Sequence, residues 1–420
     1  MSLRSELAAM YHGEYGRVPG SSTVADAMSV LEGQAQAQEP EPLHTRVAER
    51  DGVWLDLGHK EGRFVQVTET GWSMKTSPPM LFRHTALTGP LPEPEAGGDF
   101  EELREYLNLD DEQWLLVRGW VVALLFPTRP QPILCLVGRQ GAGKSTIART
   151  LVNLVDPSPA PLRSPPREPT DWAVSAAASY VVALDNCSRV PDWLSDALCR
   201  AVTGDGWLRR ALYTDDRVAI CAFRRAIIIN GIALGALRGD LLDRAILLEP
   251  HPINPERRRL ESDMTARWQA ARGRILGGLL DLASRTFAHL PAVRLLSQPR
   301  MADHAQILAA LDQATGTAGL AAYLQASGRA LEAAIDECPV AFAVRRLMET
   351  HDEWGPGLAS DLLPVLKTQD PWREWPTTPQ HLSEQLRRAA PLLEATGIHI
   401  EQGLSHGSGQ RGIRLTKAPR

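Results

Sequence analysis

The segment Gly138 to Ser145, GRQGAGKS, limits what this chain can fold into more than any other stretch of it. It matches the pattern G-x-x-x-x-G-K-[ST] and lies between an apolar run, PILCLVG, and a helical one, IARTLVNLV. A buried strand, a glycine-rich turn and a helix are the context that pattern needs. Gly138, Gly141 and Gly143, with Ala142 between the last two, let the backbone curl until its N–H groups and the helix N-terminus face a phosphate. Lys144 would then reach the β- and γ-phosphates and Ser145 would hold Mg²⁺, with Thr146 completing the nucleotide-binding set. ATP and Mg²⁺ are the expected ligands.

Three further apolar runs follow: Tyr180 to Leu184, Ala226 to Ile229 and Ala245 to Leu248. Runs apolar throughout suit a central parallel sheet covered on both faces. The first ends in Asp185, the expected second Mg²⁺ partner, although a strand-terminal Asp also caps an ordinary turn. Next to it stands Asn186, where many such ATPases carry a glutamate that activates water, so hydrolysis is expected to be slow or to use another base. The second run ends in Asn230, placed to orient the attacking water, although Asn before Gly231 is also a good turn. LRGDLLDR then sets Arg238 and Arg244 ahead of the last strand, a region from which an arginine can reach a neighbouring subunit's nucleotide. A helix-end charge or a surface ion pair is the plainer alternative.

Together GRQGAGKST, YVVALDN, TGDGWLRRALYTDD, IIINGI and GDLLDR resemble the AAA+ superfamily 3 helicases, especially the ATPase half of phage and plasmid primase-helicases. The resemblance covers roughly residues 100 to 335. It implies a hexameric ring with ATP shared between subunits: Lys144, Ser145 and Asp185 from one copy, Asn186 and Asn230 beside them, and Arg244 or Arg238 from its neighbour. It also implies a hairpin that grips one DNA strand in the pore. LRRALYT and RVAICAF read as its strands, with Arg209, Arg210 and Arg217 as phosphate contacts and Tyr213 as a base-stacking residue. The turn between them, Asp215 and Asp216, is acidic where a basic tip would suit DNA better, and an edge hairpin packing between subunits is the alternative. No paired-carboxylate or primase pattern precedes residue 100.

Outside that span the chain is more varied. Residues 1–44 are polar and acidic and read as a short helix, Thr23 to Leu31, in a flexible segment. Residues 45–98 alternate with period two in RVAER, VWLDLG, RFVQVT, GWSMKT and PMLFRH, a small β-rich module closed by the linker GPLPEPEAGG. Residues 99–254 form the ATPase core and 255–335 a helical lid. Residues 339–420 read helix, helix, helix, hairpin, an order that resembles a winged helix. Its recognition helix would be Gln380 to Leu393 with Arg387 and Arg388, and its wing would carry Arg411 and Arg414, with no acid after Glu401. Pro391 counts against an unbroken helix, and protein docking is the rival role for such a module.

The overall reading is therefore an α/β protein: a P-loop AAA+ core with a central parallel sheet, a β-rich N-terminal module, a helical lid and a C-terminal winged helix. Its expected role is an ATP-dependent DNA helicase or translocase of a mobile genetic element. The alternative is an ATP-switched initiator or helicase loader without processive unwinding. Single-stranded DNA would occupy the pore and duplex or fork the winged helix. Charged residues are 23% of the 420 and the net charge is −5, so any polyanion contact must be local. Five cysteines without metal or disulfide spacing read as reduced, mostly buried thiols. No run is long enough to span a bilayer, and a cytoplasmic protein without membrane contact is expected.

Overall fold

The computed structural model describes residues 3–205, 207–210, 218–221, 223–231, 238–253, 256, 260–369, 374–406 and 410–418, with the side chains of 207–210, 218–221, 406 and 410 left aside. The chain divides into two units, Met1–Leu43 and His44–Arg420. The first contains helices α1 (Leu3–Tyr15) and α2 (Ser21–Gln36). More of it is helical than the short helix expected in a flexible segment. Low apolar content argues against a packed core, but leucine, alanine, glutamate and methionine are intrinsically good helix formers.

In the second unit the alternating runs form an antiparallel meander of β1 (Val47–Glu49), β2 (Val53–Asp56), β3 (Phe64–Thr68) and β4 (Gly71–Lys75). The fifth run is extended only at Leu81–Phe82. Leu55 and Val65 lie fully buried in one core with Trp120 and Leu276, so the meander is packed into the α/β body. Arg46 ties it there. Its Nε donates to Asp156 Oδ1 (2.9 Å), Nη1 to the Asp56 carbonyl (3.0 Å) and Nη2 to the Gly89 carbonyl (2.9 Å). Asp156 Oδ2 in turn accepts from the Tyr180 and Val181 amides at 2.7 and 3.0 Å. With every polar atom of this buried ion pair matched, its desolvation is offset.

A 3₁₀ turn at Phe100–Tyr106 leads into α3 (Asp111–Ala123), capped by Asp110, whose carboxylate accepts from the Gln113 amide at 2.8 Å. The α/β layer follows as β5 (Ile133–Leu136), α4 (Lys144–Val155), α5 (Pro169–Ala178), β6 (Val181–Leu184), α6 (Asp192–Thr203), the antiparallel pair β7 (Trp207–Arg210) and β8 (Val218–Cys221), β9 (Ala226–Asn230), α7 (Gly239–Leu242) and β10 (Ala245–Leu248). The four apolar strands form one parallel sheet in the order β10-β5-β9-β6. Their side chains divide between two cores, one shared with the meander and α3, the other with α5 and α6. Period-two alternation is absent because both faces are covered.

Helices α8 (Glu261–His289), α9 (Ala302–Thr315) and α10 (Gly319–Glu337) pack over α3. The proline-rich linker read between the meander and the body is clamped across α8. Glu95 N donates to the Gly273 carbonyl (2.9 Å), and a Cβ on Gly277 would sit 1.8 Å from the Glu95 carbonyl oxygen.

The C-terminal stretch contains α11 (Pro339–Thr350), β11 (Glu353–Gly357), α12 (Ala359–Gln369), α13 (Pro379–Glu394), β12 (Ile398–His406) and β13 (Gln410–Lys417). The three strands form an antiparallel sheet, β11-β13-β12. Strand β11 has no strand signature in its sequence, since EWGPG carries two glycines and a proline, a composition of turns. Helix α13 runs through Pro391 to Glu394, the proline falling where only the last turn forfeits a backbone bond. Among the described residues no helix is long and apolar enough to cross a membrane.

Candidate functional site

The site is built where three parallel strands end side by side. Strand β5 runs into the glycine loop, whose Gly138, Gly141 and Gly143 all adopt left-handed backbone angles, with φ of +102°, +82° and +80°. Gly143 caps α4 in that conformation, and a side chain there would also meet Ile253 Cδ1 at 3.1 Å. Ala142 is buried, while Gly138 and Thr146 are exposed. Lys144 Nζ donates to the carbonyls of Gly138 and Arg139, both at 2.8 Å, folded back over its own loop.

Beneath the loop the ends of β6 and β9 converge on the first turn of α4. Ser145 Oγ donates to Asp185 Oδ1 at 3.1 Å, and Asn230 Nδ2 donates to Ser145 Oγ at 2.9 Å and also to Asp185 Oδ1. Three residues read separately in the sequence thus form one hydrogen-bonded cluster. Asn230 is 3% exposed, yet its Oδ1 has no hydrogen-bond partner, so the cluster retains an unused buried acceptor. The Asp185 carboxylate and the Ser145 hydroxyl are oxygen ligands of the kind a hard cation such as Mg²⁺ prefers when phosphates and water supply the rest, while Asn230 turns its Nδ2 toward both. Among the described residues no group of three or more His, Cys, Asp or Glu could hold a metal by itself.

Asn186 is exposed and left-handed, φ +56°. Asparagine tolerates that region far better than glutamate. The turn is fixed by Cys187 N donating to the Asn230 carbonyl at 2.8 Å. Burial pushes the thiols of Cys135 and Cys187 up and that of Cys199 to about 11, which disfavours their reactive thiolate forms.

Neither arginine expected from the fifth motif contacts the glycine loop of its own chain. Arg238 precedes α7 and lies among Asp196 (3.2 Å), Asp240 (3.3 Å) and Asp192 (4.0 Å), its side chain 41% exposed. Arg244 Nη1 donates to the Asp240 carbonyl at 2.7 Å. Strands β7 and β8 pair as expected of a hairpin, with Arg209 opposite Ala219 and Arg210 opposite Val218. Tyr213, Arg217 and the Asp215–Asp216 turn lie outside the described residues.

In the C-terminal stretch, Arg387 and Arg388 line a cleft of about 980 Å³ together with Arg189 and Arg238. Arg388 is paired with Glu384 at 2.7 Å. Arg411 is exposed on β13. Arg414 differs from the reading of an unopposed cationic wing. Glu353 of β11 (3.1 Å) and Glu401 of β12 (3.5 Å) flank it across the sheet and offset its charge.

Asn108 belongs to none of the sequence motifs yet bonds to the loop. It follows the 3₁₀ turn and donates from Nδ2 to the carbonyl of Ala142 at 3.3 Å and to that of His251. In NLDD it reads only as a residue ahead of a helix cap.

A family model for the actinomycete integrative conjugative element replication protein matches residues 102–333, and one for the C-terminal domain of RepA of these elements matches residues 340–420. The chain belongs to this family. It is a replication protein of a conjugative element. Among solved structures, two of the C-terminal region of NrS-1 in its A-form apo state are similar, each with 12% identity over 99% of this chain and 90% of that chain, at TM-scores of 0.41 and 0.39. No curated protein matches it.

Proposed function

We propose that this replication protein is a Mg²⁺-dependent ATPase of the AAA+ superfamily 3 type, working as a ring-shaped DNA helicase or translocase. The observation that carries the reading is the cluster of Ser145, Asp185 and Asn230 under a left-handed glycine loop, at the carboxyl ends of adjacent parallel strands. Glycine-loop amides and Lys144 would hold the phosphates. Ser145 and Asp185 would hold Mg²⁺, which supplies neutralisation of the phosphate charge. Asn230, held by Ser145 and Asp185, would present its free Oδ1 to a water. Arg238 or Arg244 would act on the nucleotide of an adjacent copy, a role that requires Arg238 to leave its three aspartates. The C-terminal stretch, three helices and a three-stranded sheet, supports a winged-helix reading with DNA as its ligand.

A second reading, an ATP-switched initiator or loader, is favoured by one observation: the residue after Asp185 is an exposed, left-handed asparagine and no carboxylate. The experiment that separates the two measures ATP turnover with and without DNA, oligomeric state with Mg²⁺-ATP, and displacement of a strand from a fork. DNA-stimulated turnover in a ring with strand displacement supports the motor. Turnover with DNA but no displacement supports the switch. A protein that stays monomeric with ATP, and whose turnover ignores DNA, defeats the motor reading.

A further inference from the structure

Two segments distant in sequence bond to carbonyls of the glycine loop. Ile253 N donates to the Gly141 carbonyl at 3.2 Å, and Asn108 Nδ2 donates to the Ala142 carbonyl at 3.3 Å. A trans peptide points its C=O and the following N–H in opposite directions. Pulling the Gly141 and Ala142 carbonyls outward therefore turns the N–H groups of Ala142 and Gly143 the other way, into the concavity of the loop. Those amides are the phosphate donors in the function proposed above.

Ile253 does this through its backbone and Asn108 through a side chain. The same Asn108 amide also donates to the His251 carbonyl. Gln113 Nε2 fastens the start of that segment through the Glu249 carbonyl at 2.9 Å. One side chain thus joins the glycine loop to the stretch that leaves β10.

We infer that Asn108 is a positioning residue for triphosphate binding: its amide sets the Ala142–Gly143 peptide plane and locks it to the segment 249–253. This rests on the ATP-site reading. A donor-free side chain of similar size should let that peptide rotate, weakening phosphate binding in the ground state and the transition state alike.

The test uses the full chain with Mg²⁺-ATP, comparing wild type, Asn108→Leu and Asn108→Gln, which keeps an amide donor. For Asn108→Leu, KM for ATP and the dissociation constant of a fluorescent ATP analogue should rise about 10-fold, the scale of one hydrogen bond to a charged group. Its kcat should stay within about twofold and its nucleotide-free melting temperature should be unchanged, with Asn108→Gln falling between. If Asn108→Leu binds the analogue as tightly as wild type, or loses melting temperature and kcat together with affinity, the inference is overturned. Wild-type protein that binds no Mg²⁺-ATP would overturn the ATP-site reading as well, so the two failures are distinguishable.

Discussion

The glycine-loop end of the sheet and the C-terminal stretch both carry the polar residues that a sequence reader would select, but they hold them differently. At the loop, Lys144 and Ser145 from the start of α4, Asp185 after β6 and Asn230 at the end of β9 bond to one another or to the loop itself. In the C-terminal stretch the arginines stand on a helix and a hairpin, and some are answered by acids: Arg388 by Glu384, Arg414 by Glu353 and Glu401. A web of short bonds prepares chemistry at one point, whereas spaced, partly answered cations suit a long ligand whose grip is a sum of weak contacts.

Substitutions should separate the two regions. The largest effect is expected for Lys144→Ala, which should lower ATP turnover roughly 10²- to 10³-fold while DNA affinity, read by fluorescence anisotropy, stays within about twofold. Equal loss of both would erase the distinction. Acidification should act on the helical layer through one buried histidine. His304 is fully buried on α9, with neither ring nitrogen bonded, and burial lowers its pKa from 6.5 to about 3. The unfolded chain therefore takes the proton first. Its contribution is whole above pH 6.5 and falls by about 1.4 kcal/mol per pH unit below that until the folded value is reached. Denaturant midpoints between pH 7 and 5 should fall less steeply for His304→Leu than for wild type; parallel slopes would refute this. The smallest effects belong to the C-terminal cations. Arg387→Ala should weaken DNA binding a few-fold and reduce the salt slope by about 1, and Arg414→Ala should do less, since two acids already offset it. If Arg414→Ala proves the more damaging, the ranking by ion pairing is wrong.

Legibility in the sequence followed distance along the chain. The glycine loop, the four parallel strands and the meander were readable because each is written in a few consecutive residues with a period or a motif. Asp185 and Asn230 were readable as strand ends, but their bonds to Ser145 were not. What escaped depends on partners far away: Asn108 reaching Ala142, Glu353 beside Arg414, and the strand Glu353–Gly357, whose turn-like composition is overridden by pairing with β13. Helix α1 and the ends of α2 beyond Thr23–Leu31 escaped for a different reason, since low apolar content reports missing burial and is silent on local backbone preference.

The crossing of residues 93–98 over α8 has a practical consequence for anyone dividing this chain. The backbone there fills a notch left by Gly273, Gly277 and Gly278, where added methyl groups would collide with it. Trimming the protein to begin after that crossing would strip the cover from a long helix and open its glycines to water. A safer place to shorten the protein is between its two units, near residue 43, ahead of the meander whose arginine reaches Asp156.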